Sequence, residues 1–172
     1  MSAHTSELDA ILKRIDAAQQ SFVQALSLFS DEQMTTTHME DGSTIKDMLA
    51  HVSFWDRRFM HAMQPEPPHA FRLVTPEIAD IPYYEDMRWA DAVNARVRRL
   101  NQDRAVAEIR REYEQNWILM AAFLDALTPH DVFDSDGLSA LIGMPFEPFM
   151  RGIYEHYEEH AEELHKHRAQ ST

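Results

Sequence analysis

From Leu8 onward the apolar residues of this chain fall three and four apart, and no run shows the sustained alternation that a half-buried strand requires. Leu8, Ile11, Leu12, Ile15, Ala18, Phe22, Leu26 and Phe29 describe one helix of about six turns, with Thr5 or Ser6 available as its cap. Ser30 with Gln33 has the form of a capping box and opens a short helical turn before a loop at Thr35 to Gly42. A second long helix begins at Ser43 or Thr44, with Asp47 in its first turn, where the helix dipole favours an anion. Its inner stripe is Ile45, Met48, Leu49, Val52, Trp55 and Phe59.

Pro65, Pro67 and Pro68 end that helix, because proline lacks the amide hydrogen and clashes with the preceding turn. The irregular stretch that follows, through Pro76 and Pro82, is too long to join adjacent antiparallel helices and suits a crossover along a bundle. Helical spacing resumes near Tyr84 and runs to Leu127, a rod of roughly 60 Å if unbroken, about twice the width of a small domain. We therefore break it at Asn101 to Asp103, with Asp103 as the next cap. This yields a covering helix (Trp89, Val93, Val97, Leu100) and a bundle helix (Val106, Ile109, Tyr113, Trp117, Met120, Leu124, Leu127). Thr128-Pro129-His130-Asp131 reads as cap, first-turn proline and first-turn acid, and a loop with Asp136-Gly137 and Gly143 follows. The last helix starts around Glu147-Pro148 and carries Phe149, Ile153, His156, His160 and Leu164. The expected fold is all-α, a single domain over residues 1–172, since 172 residues that are 44% hydrophobic suffice for one core.

Charge and cysteine content narrow the chemistry. A net charge of −13 and a pI near 5.1 argue against a nucleic-acid partner, and the arginines between Arg88 and Arg111 are interleaved with acids as on a solvated face. Without cysteine, any metal must be held by His, Asp or Glu. The polar start MSAHTSELDA and the absence of an 18-residue apolar run point to a cytoplasmic protein with no membrane partner.

His156 and His160, four apart, point the same way from one helix. Ten histidines produce about 0.5 such pairs by chance, so spacing alone carries little weight. The pair continues the line of Phe149, Ile153 and Leu164, however, and burying two imidazoles is costly unless something satisfies their nitrogens. A cation does so directly, since neutral imidazole is a strong ligand for zinc and nickel. His51 lies at the edge of the second helix's inner face, about as far from that helix's end as His160 lies from the start of its own. If the two helices run antiparallel, His51 meets the pair at one height, and three converging histidines favour a metal. The string HYEEH also matches the inverted zinc-protease motif, but such proteases take a third ligand from well downstream and only twelve residues follow His160.

Three segments resemble one known superfamily: GSTIKDMLAHVSFWDRRF (Gly42 to Phe59), ADAVNARVRRLNQDRAVAEIRREYEQ (Ala90 to Gln115) and IYEHYEEHAEEL (Ile153 to Leu164). They are similar to the DinB-like or YfiT-like metalloenzymes, four-helix bundles of up-down-down-up topology, and most of all to the ClbS/DfsB-type branch. The resemblance implies a divalent metal, zinc or nickel, on one histidine of the second helix and two of the fourth, which fall on His51, His156 and His160. It also implies a small-molecule substrate, with either hydrolysis or transfer of a low-molecular-weight thiol as the reaction, and homodimers are common among such bundles. Asp56, one turn beyond His51, and Tyr154 or Tyr157 are candidate proton carriers; a surface pair of Asp56 with Arg57 or Arg58, and simple packing of the tyrosines, are the alternatives. Trp55, Phe59, Trp117, Ile118, Leu119 and Met120 either line an apolar pocket beside the metal or belong to the core. Two rival functions remain at this level: a non-catalytic protein that sequesters a hydrophobic small molecule or toxin, and a structural metalloprotein.

Overall fold

A computed structural model describes residues 3–62, 76–81 and 87–170. Among them the chain is helical, with one isolated antiparallel bridge between His38 and Thr44 and no strand. The helices are α1 (Ala3–Leu26), α2 (Asp31–Thr36), α3 (Ile45–Ala62), α4 (Met87–Asn101), α5 (Val106–Asp125), α6 (Pro129–Phe133), α7 (Leu138–Ile142) and α8 (Phe146–Gln170), with a short 3-10 turn at Pro76–Ile78. The chain divides into two compact units, Met1–Glu32 with Ala121–Thr172, and Gln33–Met120.

In the first unit α1 packs along α8. Arg14 donates both Nε and Nη2 to Glu158 at 2.9 Å, Arg151 reaches Glu7, Phe22 meets Tyr157, and Phe29 meets His167. The partners advance together along both helices, so α1 and α8 run parallel. Buried Leu8, Ile11, Ile15, Ala18, Phe22 and Leu26 form the inner face of α1, as their spacing predicts. Thr128 and Asp131 form a complete capping box on α6, in which each side chain accepts from the other's backbone amide. The loop expected after it contains α7, whose five residues are too few to show a period. Gly137 begins α7 against the backbone, and a Cβ there would stand 2.4 Å from the His130 carbonyl oxygen. Gly143 ends it in the left-handed conformation at φ 72°.

In the second unit Thr44 and Asp47 cap α3 reciprocally, the Thr44 amide donating to Asp47 and the Asp47 amide to the Thr44 hydroxyl. α4 returns antiparallel along α3: Lys46 holds the carbonyl of Gln102, His51 and Trp55 meet Asn94, and Trp55 meets Trp89. Lys46 also holds the carbonyl of Arg104 at 3.2 Å, so α5 sets off from the end where α3 began. This is the consequence expected of a crossover. Part of the crossover is pinned by Arg96, which donates to both carboxylate oxygens of Asp80 and to the carbonyl of Glu77, and by Arg57, which donates to Glu77. The three prolines near 65 and the expected helix start at Tyr84 lie outside the described residues.

Three expectations are corrected. α1 begins at Ala3, so Thr5 and Ser6, expected as its cap, lie inside its first turns. The break between α4 and α5 is where it was expected, but Ala105 rather than Asp103 precedes the first residue of α5, its carbonyl accepting from Ile109. The Lys46 hold on the preceding carbonyls decides this over local capping preference. Leu100, read as an inward residue of the covering helix, is 51% exposed, whereas among the described side chains of α4 Val93 and Val97 are the buried ones. The last helix starts at Phe146, within a residue of the expected Glu147-Pro148, and Phe146 is fully buried.

Candidate metal centre

α8 carries its core on Phe146, Met150, Ile153, Tyr154, Tyr157, Ala161 and Leu164. His156 and His160 do not continue that line, as their spacing first suggests; they stand half-buried at its margin. One turn apart, they approach until their Nε2 atoms are 3.1 Å from each other, with ring centroids 4.6 Å apart and planes at 72°.

The neighbours of these rings determine which nitrogen holds the proton. His160 Nδ1 lies 2.9 Å from Oε2 of Glu163, three residues along the same helix. An ionised carboxylate only accepts, so Nδ1 carries the hydrogen and, in the neutral ring, Nε2 presents a lone pair. That lone pair points at His156 Nε2. Either a hydrogen lies between the two nitrogens or a cation sits against both.

His51, on α3 in the second unit, reaches the same tautomer by another route. Its Nδ1 lies 3.1 Å from the side-chain oxygen of Asn94, which also accepts from Trp55 Nε1 at 3.0 Å. An indole nitrogen only donates, and that identifies the shared atom as the amide oxygen. His51 Nδ1 must therefore donate as well, and the neutral ring again presents its lone pair at Nε2. The His51 and Trp55 rings meet edge to face at 6.2 Å.

Each expected proton carrier has a definite place. Asp56 is 4% exposed, so it is enclosed rather than at the surface. Arg57 turns instead to Glu77 and Glu112, and Arg58 lies over the Trp89 ring at 4.7 Å. Tyr154 is buried beneath the Arg14 guanidinium, 4.1 Å from its ring centroid, and its hydroxyl accepts from Arg151 at 3.4 Å. Tyr157 is fully buried against Phe22. Glu158, between the two histidines in sequence, is committed to Arg14, whose hydrogen bonds hold its carboxyl below the usual glutamate range. The apolar residues expected as core or pocket lining divide: Met120 is buried, whereas Ile118 and Leu119 are 65% and 62% exposed and are not core.

Asn94 and Glu163 escaped the sequence reading. Glu163 was within reach, since a carboxylate three residues after a histidine is its neighbour on a helix. Asn94 was not, because its pairing with His51 spans 43 residues and depends on how α4 returns along α3.

An all-helical chain with histidines whose proton-bearing nitrogens are set by neighbouring acceptors, and whose Nε2 atoms suit a cation, defines a class: helical proteins with a candidate histidine metal site. Residues 14–170 match the model of the DinB superfamily, and the chain belongs to that superfamily. Its fold is similar to that of a solved structure, "Sibling Lethal Factor Precursor - DfsB", with a TM-score of 0.71 and 13% identity over 95% of this chain and 96% of that one. At that identity the likeness is one of fold, and it agrees with the all-α helical bundle expected from the sequence. No curated protein matches this sequence. Among the described residues no helix is long and apolar enough to cross a membrane.

Proposed function

We propose that this protein is a divalent-metal-dependent enzyme of the ClbS/DfsB type, with His51, His156 and His160 as the ligands and zinc or nickel as the ion. The observation that carries the proposal is the 3.1 Å approach of the His156 and His160 Nε2 atoms, with Glu163 holding the His160 proton on the far nitrogen. Two nitrogens about 2.0–2.1 Å from a tetrahedral zinc stand about 3.3 Å apart, close to the spacing seen here. The third ligand is supported by the same Nε2 tautomer at His51 and by the partial burial of all three rings.

His51, His156 and His160 would hold the ion through neutral imidazoles, and it would supply Lewis acidity toward a water, a thiol or a carbonyl. The chain's own residues prepare for it. Asn94 and Glu163 keep Nδ1 protonated and aim Nε2, and burial at the edge of α8 lowers the competition from solvent. We assign the substrate as an electrophilic small molecule, attacked by water or by a low-molecular-weight thiol, in a cytoplasmic setting. Asp56 is a candidate proton carrier five residues beyond His51, because it is an acid enclosed in the same helix.

Elemental analysis of untagged protein tests the ligand set. Wild type should carry about one equivalent of metal, and His156→Ala, His160→Ala and His51→Ala should each retain little. Full occupancy in any one of them removes that residue from the set. A wild type that stays empty after reconstitution with zinc and nickel overturns the proposal.

A further inference from the structure

Of the side chains His51, Asn94 and Trp55, only the last has a fixed hydrogen-bonding character, since an indole nitrogen donates and never accepts. The Asn94 amide keeps its shape when its oxygen and its NH2 group exchange places, and a neutral imidazole can carry its hydrogen on either nitrogen. His51 and Asn94, in contact at 3.1 Å, therefore have two self-consistent arrangements. In one the amide oxygen faces His51, Nδ1 carries the hydrogen and Nε2 keeps a lone pair. In the other the NH2 group faces His51, Nδ1 accepts, and the hydrogen moves to Nε2, which is then lost as a ligand. Each arrangement makes one neutral hydrogen bond, so the pair alone has little ground for choosing.

Trp55 supplies the choice. It stands one turn beyond His51 on α3, and its Nε1 reaches the same Asn94 oxygen at 3.0 Å. Turning the amide over would set the indole hydrogen against an NH2 group and leave two donors facing each other without an acceptor between them. The indole is itself held in place. Phe54 and Trp89 meet its ring edge to face at 5.7 and 6.0 Å, and the Arg58 guanidinium, only 6% exposed, stands 5.7 Å from its centroid. His51, Trp55 and Asn94 are all half-buried, which strengthens these bonds relative to the same bonds in water.

We propose that Trp55 is a positioning residue for His51: its indole N–H locks the Asn94 amide with the oxygen toward the imidazole, and so keeps the histidine's hydrogen on Nδ1 and its Nε2 open to a ligand. The use made of that Nε2 rests on the metal reading above, whereas the position of the hydrogen is a property of the metal-free chain.

Nitrogen NMR of the histidine rings tests it, because it distinguishes a protonated ring nitrogen from one with a lone pair. The sample is the chelator-treated full-length chain, held well above the ordinary histidine pKa of about 6.5, and the spectrum of His51→Gln assigns the signal. Wild type should carry the His51 hydrogen on Nδ1. Trp55→Phe keeps an aromatic ring and loses the N–H; it should let the amide turn and raise the Nε2-protonated form at least tenfold, and zinc affinity should fall with it. In an Asn94→Asp background the carboxylate accepts through either oxygen, so there Trp55→Phe should leave the hydrogen on Nδ1. Should Trp55→Phe disturb folding, replacing tryptophan with benzothienylalanine, in which sulfur stands for the N–H, repeats the comparison at nearly the same ring volume. A wild-type His51 protonated on Nε2 overturns the proposal, as does a Trp55→Phe variant that retains the wild-type tautomer. An equal change in the Asn94→Asp background would assign Trp55 to packing alone and overturn it too. A wild type that takes up neither zinc nor nickel yet keeps the His51 hydrogen on Nδ1, and loses it there in Trp55→Phe, would remove the metal reading and leave this role of Trp55 standing.

Discussion

His51 and His160 present the same nitrogen, yet their surroundings reach that result by different physics. At His160 a carboxylate within one turn of the same helix accepts the hydrogen bond from Nδ1, and the Glu163 side chain is 44% exposed. At His51 a neutral amide on another helix does so, and it binds an indole with its second lone pair. Glu163 sets the tautomer locally and brings a negative charge to the ring it supports. Asn94 sets it through the packing of α4 on α3 and adds no charge. One histidine is thus oriented by chemistry next to it in sequence, the other by the fold.

The contrast is broken most completely at the imidazoles themselves, where loss of either should remove stoichiometric metal. The next largest effect is expected at Asn94. Replacing it with Ala leaves two donors, His51 Nδ1 and Trp55 Nε1, without this acceptor. Metal affinity should fall about 10–100-fold, and urea unfolding should show a loss of about 1–3 kcal/mol. An Asn94→Ala variant with wild-type stability and affinity would show that the amide has neither role. Glu163→Ala should separate the two quantities: metal affinity lower by about tenfold, with stability changed by no more than about 0.5 kcal/mol. Equal stability losses in both variants would erase the distinction between a local and a tertiary orienting group. In every variant metal binding competes with protonation of the imidazoles and should weaken on acidification.

The smallest effect concerns the capping box of α6, another case of orientation within one turn. Hydrogen bonds from the Thr128 hydroxyl and amide hold the Asp131 carboxyl below its ordinary value. A carboxyl lowered on folding contributes stability above its unfolded value, and the contribution disappears as pH falls through the folded one. Thr128→Ala should therefore cost about 1 kcal/mol near neutral pH, and the difference from wild type should narrow as the solution is acidified below the usual aspartate range. Thermal unfolding across that range measures it, and a difference that widens toward acid would contradict the assignment.

The same division between near and distant causes describes what could be read from the chain. Helical period alone located α1, α3, α5 and α8, because burying one face of a helix demands apolar residues every three or four positions. Caps at Thr44 and Thr128 were legible because their partners lie three residues on. The spacing of His156 and His160 made their proximity readable for the same reason. Some features were not legible: α7 is shorter than two turns, and the start of α5 is set by Lys46 from another helix. The outward turn of Ile118 and Leu119 also escaped, since a hydrophobic side chain does not announce which neighbour will cover it.

By itself, then, the sequence determined the helical class, the placement of the long helices and the local histidine pair, which follow from contacts within about one turn, and, having no cysteine, it excluded thiolate metal ligands. Only the tertiary structure decided that Asn94 serves both His51 and Trp55, that the α8 histidines stand beside the core line, and that α5 leaves Ile118 and Leu119 exposed. Those depend on which faces meet when α4 returns along α3 and α8 packs on α1, and a one-dimensional period carries no record of the angle at which two helices pack.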